Sequence, residues 1–461
     1  MVSQKLVDLF SNLPEVSAPT QKKLQFSERL KWTLVMLVAF FILGMIPLFG
    51  LGNNALQQFE YLSIILGAEF GSLVSLGIGP IVTASIVLQL LTGAGIMKLD
   101  LPKDENRKVF QGLQKVLSIA FIIFEAAIYV YMGGLSPIEG SSFGIMRLAL
   151  VFQLFLGGML ILFMDEVTSK WGFGSGISLF IAAQVAKSLF ITAFSPLKSP
   201  TNPEVYVGAI PTLFKSLAIG DPTTAMLMLA AVVFTIIVFV IAVYVQAMKV
   251  EIPLSFGRVR GYGIRWPLNF IYTSNIPVIL VAALLANVQL FARLFQNWGK
   301  PILGTFVGNS PSTGLVAWLN APNLVGKMIT GSITGLDLAH SLVYILFMIG
   351  GAVLFSIFWV QTSGMDSASQ AKQIMSSGLQ IPGFRRDERV LERVLDRYIM
   401  PLTIMGAIVV GFLSAMADLS GALSRGTGIL LAVMIIYQLY EKIAKEHAMD
   451  MNPMLRKFIK G

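Results

Sequence analysis

Asp165 and Glu166 stand side by side at the end of an apolar run, and general acid–base catalysis uses paired carboxylates. Neighbouring residues of a helix point about 100° apart, so the two are poorly placed to share a substrate, and solvation of a helix end is the plainer reading. Glu125 is more unusual, because it lies inside the apolar run Phe121-Ile122-Ile123-Phe124-Glu125. Charge at membrane depth is costly and marks function by default. Lys187 lies near the end of another apolar run, where its long stem allows it to snorkel. The chain has no cysteine, and its two histidines, His340 and His447, are far apart, so neither a disulfide nor a metal cluster is expected. Gly172-Phe173-Gly174-Ser175-Gly176 begins like a dinucleotide-binding turn, but the last glycine is missing and an apolar helix follows. There is neither a G-x-x-x-x-G-K-[ST] loop nor an H-E-x-x-H pair. This inventory speaks against an enzyme and calls for no cofactor.

The elements that carry these residues are membrane helices. Of 461 residues, 55% are hydrophobic and 13% charged, against about 25% charged in a soluble domain. Long unbroken apolar runs exclude an outer-membrane barrel, whose strands alternate. The expected class is an all-α polytopic membrane protein. Windows of roughly 20 apolar residues predict ten spans: 30–51, 76–96, 110–132, 146–164, 174–195, 224–248, 267–291, 340–361, 399–417 and 426–441. Residues 1–29 lack a signal-peptide core, so the first apolar helix is expected to stay in the mature protein.

The net charge of +9 fits anionic lipid, nucleic acid or a topology signal, and its distribution helps to decide. Most of the 34 Lys and Arg fall on alternate loops, on the side of the termini. That bias predicts both termini in the cytoplasm of a plasma-membrane protein, or the corresponding orientation in the endoplasmic reticulum. Ten spans divide into pseudo-symmetric, mutually inverted halves, 30–195 and 224–441, joined by an external loop 196–223. Residues 1–29 form a cytoplasmic amphipathic segment, 249–266 and 362–398 cytoplasmic loops, and 442–461 a cytoplasmic tail.

One segment is broken. A short helical pattern at about 55–67, with Leu56, Phe59, Tyr61, Leu62, Ile64, Ile65 and Leu66, precedes glycine-rich chain and the full apolar run of the second span. Broken hydrophobic segments at membrane depth are tolerated only where protein buries them or a cavity adjoins them. With few polar groups inside, such a cavity would seal by dewetting and open to something bulky. A solute transporter with a midplane site between inverted repeats is the alternative, but it needs convergent polar groups. An intramembrane enzyme needs a nucleophile and base, or paired aspartates, inside the spans.

Five stretches together resemble the SecY family, the central subunit of the protein-conducting channel, most closely its archaeal and eukaryotic branch. They are Leu76-Gly77-Ile78-Gly79-Pro80-Ile81-Val82-Thr83, Glu105 to Lys115, Gly174-Ser175-Gly176-Ile177-Ser178-Leu179-Phe180-Ile181-Ala182, Tyr272-Thr273-Ser274-Asn275-Ile276-Pro277-Val278-Ile279-Leu280 and Gly426-Thr427-Gly428-Ile429-Leu430-Leu431. The resemblance implies a passive channel that translocates unfolded secretory polypeptide and releases membrane helices sideways into lipid. It places a pore ring at Ile78, Val82, Phe173, Ile177, Ile279 and Leu431, where Ile78/Val82 and Phe173/Ile177 have i, i+4 spacing. Phe173 departs from the aliphatic type usual there. Leu56–Leu66 becomes a half-helix plug. Thr83, Glu125 and Asn275 become a polar cluster on a lateral gate between spans two and three and spans seven and eight.

The same resemblance assigns Arg258, Arg260, Arg385 and Arg386 to ribosome docking through ribosomal RNA, a role that suits the planar arginine fork. It further implies signal peptides and nascent chains as cargo, a SecE-like clamp, and a small single-span third subunit completing a heterotrimer.

Overall fold

The computed structural model describes residues 14–20, 24–54, 68–93, 96–97, 104–138, 143–198, 206–256, 263–273, 276–308, 310–376, 379–380, 387–424 and 426–451. Ten long helices run through it: Phe26–Met45, Gly79–Gly93, Asp104–Tyr131, Phe143–Trp171, Gly176–Phe194, Pro222–Ala247, Ile276–Asn297, Gly335–Thr362, Glu388–Leu419 and Gly426–Met451. They are called spans one to ten below. Eight are long and apolar enough to cross a bilayer outright. The second has 15 residues, and the first carries Glu28, Arg29 and Lys31 in its opening turns.

Local chemistry explains several boundaries. Span one stops at Met45, short of the predicted 51, because Pro47 follows. The chain there pairs instead with the approach to span two, Leu48 N donating to Gly71 O and Leu73 N to Ile46 O, both at 2.9 Å. Span six opens on Asp221, whose carboxylate accepts from the Thr223 and Thr224 amides at 3.2 Å, with Pro222 in the first turn. Span eight opens on a reciprocal capping box between Thr334 and Asp337. Span seven begins nine residues later than predicted, at Ile276 rather than 267. The strand Gly263–Asn269 occupies the residues in front of it. It pairs antiparallel with Lys249–Phe256, which also pairs with Leu379–Gln380, so one three-stranded sheet joins the loops after spans six and eight.

Helices pack closely where small residues face a neighbour. A Cβ added at Gly411 of span nine would meet Met348 O of span eight at 2.9 Å. The largest apolar cluster draws on spans two, five, seven, eight, nine and ten. A second cluster lies towards the opposite face and a third behind the three-stranded sheet. Span six has the highest hydropathy and only 11% of its window buried, so nearly all of it must face lipid or another membrane helix.

The ends of the bundle can be told apart by contact. Residues 14–19 lie against the end of span four: Val16 N donates to Glu166 Oε2 at 2.9 Å, Trp171 Nε1 to Ser17 O at 2.9 Å, and Lys170 bridges to Glu15. The hydrogen bond from Lys170 holds the Glu15 carboxyl below the ordinary carboxylate range. Lys249, after span six, pairs with Glu441 of span ten at 2.8 Å, and that hydrogen bond raises the Lys249 ammonium above its usual value. These contacts define the termini face; the other is called the opposite face.

Candidate functional site

A cavity of about 790 Å³ opens between the helices at the termini face. Spans two and three contribute Ser85, Gln89, Gln111 and Gln114, and the chain after span eight contributes Ser369, Gln370 and Gln373. Most of these side chains are uncharged and polar. Gln114 Nε2 donates to Ser85 Oγ at 2.7 Å, tying span three to span two along the wall. Deeper in, the lining changes to Val82, Ile177 and Ile279.

Those three belong to the largest apolar cluster with Ile78 and Leu431. Ile78 is 1% exposed, Val82 3%, Ile279 6% and Leu431 1%, so spans two, seven and ten present a dry aliphatic floor. Val82 N donates to Ile78 O at 3.0 Å, which places the two on one face as i and i+4. Phe173 behaves differently. Span five begins only at Gly176, and Gly174 turns the chain with φ +94, so Phe173 and Ile177 are not one helical turn apart. The Phe173 ring meets Phe26 with centroids 5.3 Å apart, its amide donates to Thr33 Oγ1 at 3.1 Å, and it lies outside the aliphatic cluster. Five of the six expected ring residues come together, and the sixth packs on span one.

A polar triad crosses from one half to the other beside this floor. Asn287 Nδ2 of span seven donates to Thr83 Oγ1 of span two at 2.8 Å. The same hydroxyl lies 3.2 Å from Glu125 Oε1 of span three and 2.8 Å from Gly79 O. Glu125 is 1% exposed and Asn287 5%, and Glu125 Oε2 and Asn287 Oδ1 are buried without a partner. Asn275, expected at this seam, lies outside the described residues. The residue that the structure brings to Thr83 is Asn287, eleven residues into the described helix or roughly 16 Å along its axis. Asn287 lies within the predicted span 267–291 as well, but the resemblance points to Asn275, and spacing alone does not show which asparagine faces Thr83.

Asp165 and Glu166 diverge, as their helical offset requires. Asp165 Oδ1 accepts from the Ile177 amide at 3.0 Å, while Glu166 pairs with Lys115 of span three and accepts from Val16 N. Lys187 does more than snorkel. Its Nζ reaches both oxygens of Glu69, at 3.2 and 3.1 Å, and Gln184 Nε2 joins at 3.1 Å. Span five is thereby clamped to the chain entering span two.

The plug residues Leu56, Phe59, Tyr61, Leu62, Ile64, Ile65 and Leu66 lie outside the described residues, as do Arg258, Arg260, Arg385 and Arg386. The described flanks of 55–67 are joined: Asn54 Nδ2 donates to Phe70 O at 2.9 Å. Among the described residues no group of His, Cys, Asp and Glu has the arrangement of a metal site.

Comparison with known proteins follows this geometry. The SecY family model matches residues 72–440. The protein translocase subunit SecY of Methanothermobacter thermautotrophicus is 46% identical over 99% of both chains. That of Methanocaldococcus jannaschii is 41% identical, again over 99% of both. Among solved structures, a protein-conducting channel is similar with a TM-score of 0.84 at 40% identity, covering 97% of this chain and 98% of that one. A SecY channel whose plug domain stabilises the closed state gives 0.82 at 40% identity, with the same coverage. Sec61 from a canine ribosome–channel complex of the endoplasmic reticulum gives 0.81 at 38% identity, covering 97% and 98%.

Proposed function

This chain belongs to the SecY family, and from that premise we propose how it works. It is a multi-pass membrane protein, a subunit of a protein translocation channel, and not an enzyme. The proposal rests on one observation: a cavity lined in part by serines and glutamines ends on Val82, Ile177 and Ile279, which pack in one apolar cluster with Ile78 and Leu431, and we read these five residues as an aliphatic collar. Walls with many uncharged polar groups and, among the described residues, only two charged ones, Asp165 and Lys372, solvate an extended chain without holding it. The collar excludes water and ions at rest, because a narrow apolar constriction dewets, and it spreads around a polypeptide of any sequence. A solute transporter would need polar groups converging on a ligand at that depth, and the floor is aliphatic.

The triad Thr83, Glu125 and Asn287 is the latch of a lateral exit, with span two on one side and spans seven and eight packed against it on the other. A signal helix of about 20 apolar residues replaces those bonds with its own burial, so opening is a population shift driven by differential binding. In a solved relative a plug domain stabilises the closed state and maintains a membrane seal; here Leu56–Leu66 acts as the plug that closes the collar from the opposite face. Its joined flanks and the Glu69 clamp give it a fixed base.

Both termini face the cytoplasm of the cell membrane, where the basic loops accumulate. Span six, exposed and strongly apolar, offers a face to the SecE-like and single-span subunits. The channel holds no energy-coupling site of its own, so the ribosome or another partner drives the chain. Photo-crosslinkers at Val82 and Asn287 test the scheme with a stalled secretory chain. Both positions are expected to capture it; failure at Val82 overturns the pore, and failure at Asn287 the exit.

Docking has a separate test. A solved relative sits in a ribosome–channel complex, and described strands of the two loops that carry Arg258, Arg260, Arg385 and Arg386 in the sequence pair in one sheet, which supports a shared docking role. Reversing Arg258, Arg260 and Arg385 to glutamate is expected to weaken ribosome binding and to lower the slope of log affinity against log salt by roughly 2–3. Unchanged affinity and slope across a salt series would remove the docking assignment.

A further inference from the structure

The two glycine-rich turns that open spans five and ten, Gly174-Ser175-Gly176-Ile177 and Gly426-Thr427-Gly428-Ile429, occupy equivalent places in the two halves. Each is met by a carboxylate from the preceding span. Asp165 of span four accepts from the Ile177 amide at 3.0 Å and from Ser175 Oγ at 3.4 Å. Asp418 of span nine accepts from the Thr427 amide at 2.9 Å and from the Thr427 hydroxyl, while Tyr344 OH of span eight donates to it at 2.5 Å. Ser414 Oγ completes the second cluster with a bond to Thr427 Oγ1 at 2.8 Å. Tyr344, Ser414 and Thr427 are at most 1% exposed and Asp418 is 7% exposed.

The first amides of a helix have no partner within it, and the helix dipole favours a negative charge beside them. Usually the residue at the cap position supplies the acceptor. In span five Ser175 occupies that position and makes no side-chain cap bond to its own helix. The acceptor comes from the neighbouring span instead, so capping span five also fixes where its end sits against span four. The close approach is built into the backbone: a Cβ at Gly176 would fall 2.7 Å from Asp165 Cα. In span ten the same device works from span nine, at the other face, as inverted halves require.

What these ends carry is the collar. Ile177 donates its own amide to Asp165. Leu431 lies four residues, about one turn, beyond Thr427. We propose that Asp165 and Asp418 are a matched pair of positioning residues, which brace the collar from its two faces by capping spans five and ten from the helices before them. Asp165 also lines the vestibule, but neither carboxylate is part of the seal; each acts on the seal through the helix end it holds. The inference rests on the collar reading above.

The test uses the full chain, purified with the subunits that accompany it in native membranes and reconstituted in planar bilayers. D165A and D418A remove the acceptor, whereas D165N and D418N keep an acceptor oxygen, and asparagine caps helices about as well as aspartate. At Asp418 the hydroxyls of Tyr344 and Thr427 can turn to accept from the new amide. Each alanine variant is expected to raise resting ion conductance about fivefold, the loss of one cap, and each asparagine variant to stay within about twofold of the parent. Hydrogen exchange at the Ile177 and Thr427 amides gives a second readout that needs no bilayer. It should speed up in the alanine variants and stay protected in the asparagine variants.

Alanine variants that seal like the parent overturn the proposal. So do asparagine variants that leak as much as alanine, because charge or packing would then be at work rather than capping. The glycine variants of Ile78 and Val82, measured alongside, separate the two levels. If they leak and the alanine variants do not, only the brace fails; if they too stay sealed, the collar and its brace fail together.

Discussion

With Ile78 and Val82 replaced by glycine, the resting channel is expected to leak ions. Both side chains are almost completely buried and sit on one face of span two, in contact with the cluster that holds Ile177, Ile279 and Leu431. Removing them takes seven carbons from the aliphatic floor beneath the vestibule. Buried large-to-small substitutions cost about 2–5 kcal/mol each, and the surroundings close only part of the gap. If just 2 kcal/mol of that cost falls on the dry state relative to the wetted one, the wetted population rises about 30-fold. The current should discriminate little between cations and anions, because the floor carries no charge. Ile78→Leu keeps the volume and should keep the seal, since volume-conserving swaps are the best tolerated. Planar-bilayer conductance decides, with a melting curve to show that the double variant is folded. A folded variant as tight as the parent removes Ile78 and Val82 from the seal.

How far the sequence foretold this arrangement depends on what each residue needed. Ile78, Val82, Ile279 and Leu431 stand in apolar runs whose motifs resemble one family over almost the full chain, and the structure gathers them. Phe173 directly precedes such a motif, but its position depends on where span five begins. Gly172, Gly174 and Gly176 postpone that start, so a spacing that reads as one helical turn is a turn in the other sense. Asn275 and Asn287 pose a similar problem. Hydropathy alone cannot separate buried Leu268 of the strand and Ile271 just after it from the beginning of a membrane helix, and the predicted span seven therefore starts too early. Spacing alone does not show which asparagine faces Thr83; the packed helices place Asn287 there. Lys187 was legible as an oddity but not as a partner of Glu69, because the pair is 118 residues apart. Asp165 was visible as a carboxylate at a helix end. What it caps became visible only when the end of span four and the start of span five were placed together.

Replacing Thr83 by valine is expected to lower the apolar content that a signal segment needs. The Thr83 hydroxyl is the only atom shared by the two halves in the triad, accepting from Asn287 and lying within reach of Glu125. Valine is similar in shape but leaves both neighbours without that partner, on top of the two oxygens, Glu125 Oε2 and Asn287 Oδ1, that have none already. Each buried polar group so orphaned costs roughly 1–3 kcal/mol, and the cost falls on the closed seam, because parting the halves lets lipid headgroups or water reach the same atoms. If about 1.4–2.7 kcal/mol of that total separates the closed seam from the open one, the open fraction rises roughly 10- to 100-fold. At about 0.8 kcal/mol per buried methylene, that equals roughly two to four methylenes, about one leucine side chain, in the weakest signal still accepted. A graded series of signal segments in a reconstituted translocation assay measures the threshold. Leucine at all three positions, Thr83, Glu125 and Asn287, reverses the argument. It removes the polar groups together and leaves none to desolvate, so the closed seam should be at least as stable as in the parent and the threshold should rise. A latch made of hydrogen bonds predicts opposite shifts for the single and the triple variant, whereas a seam held only by packing predicts shifts in the same direction. Two shifts of one sign would therefore reassign Thr83, Glu125 and Asn287 from latch to filler.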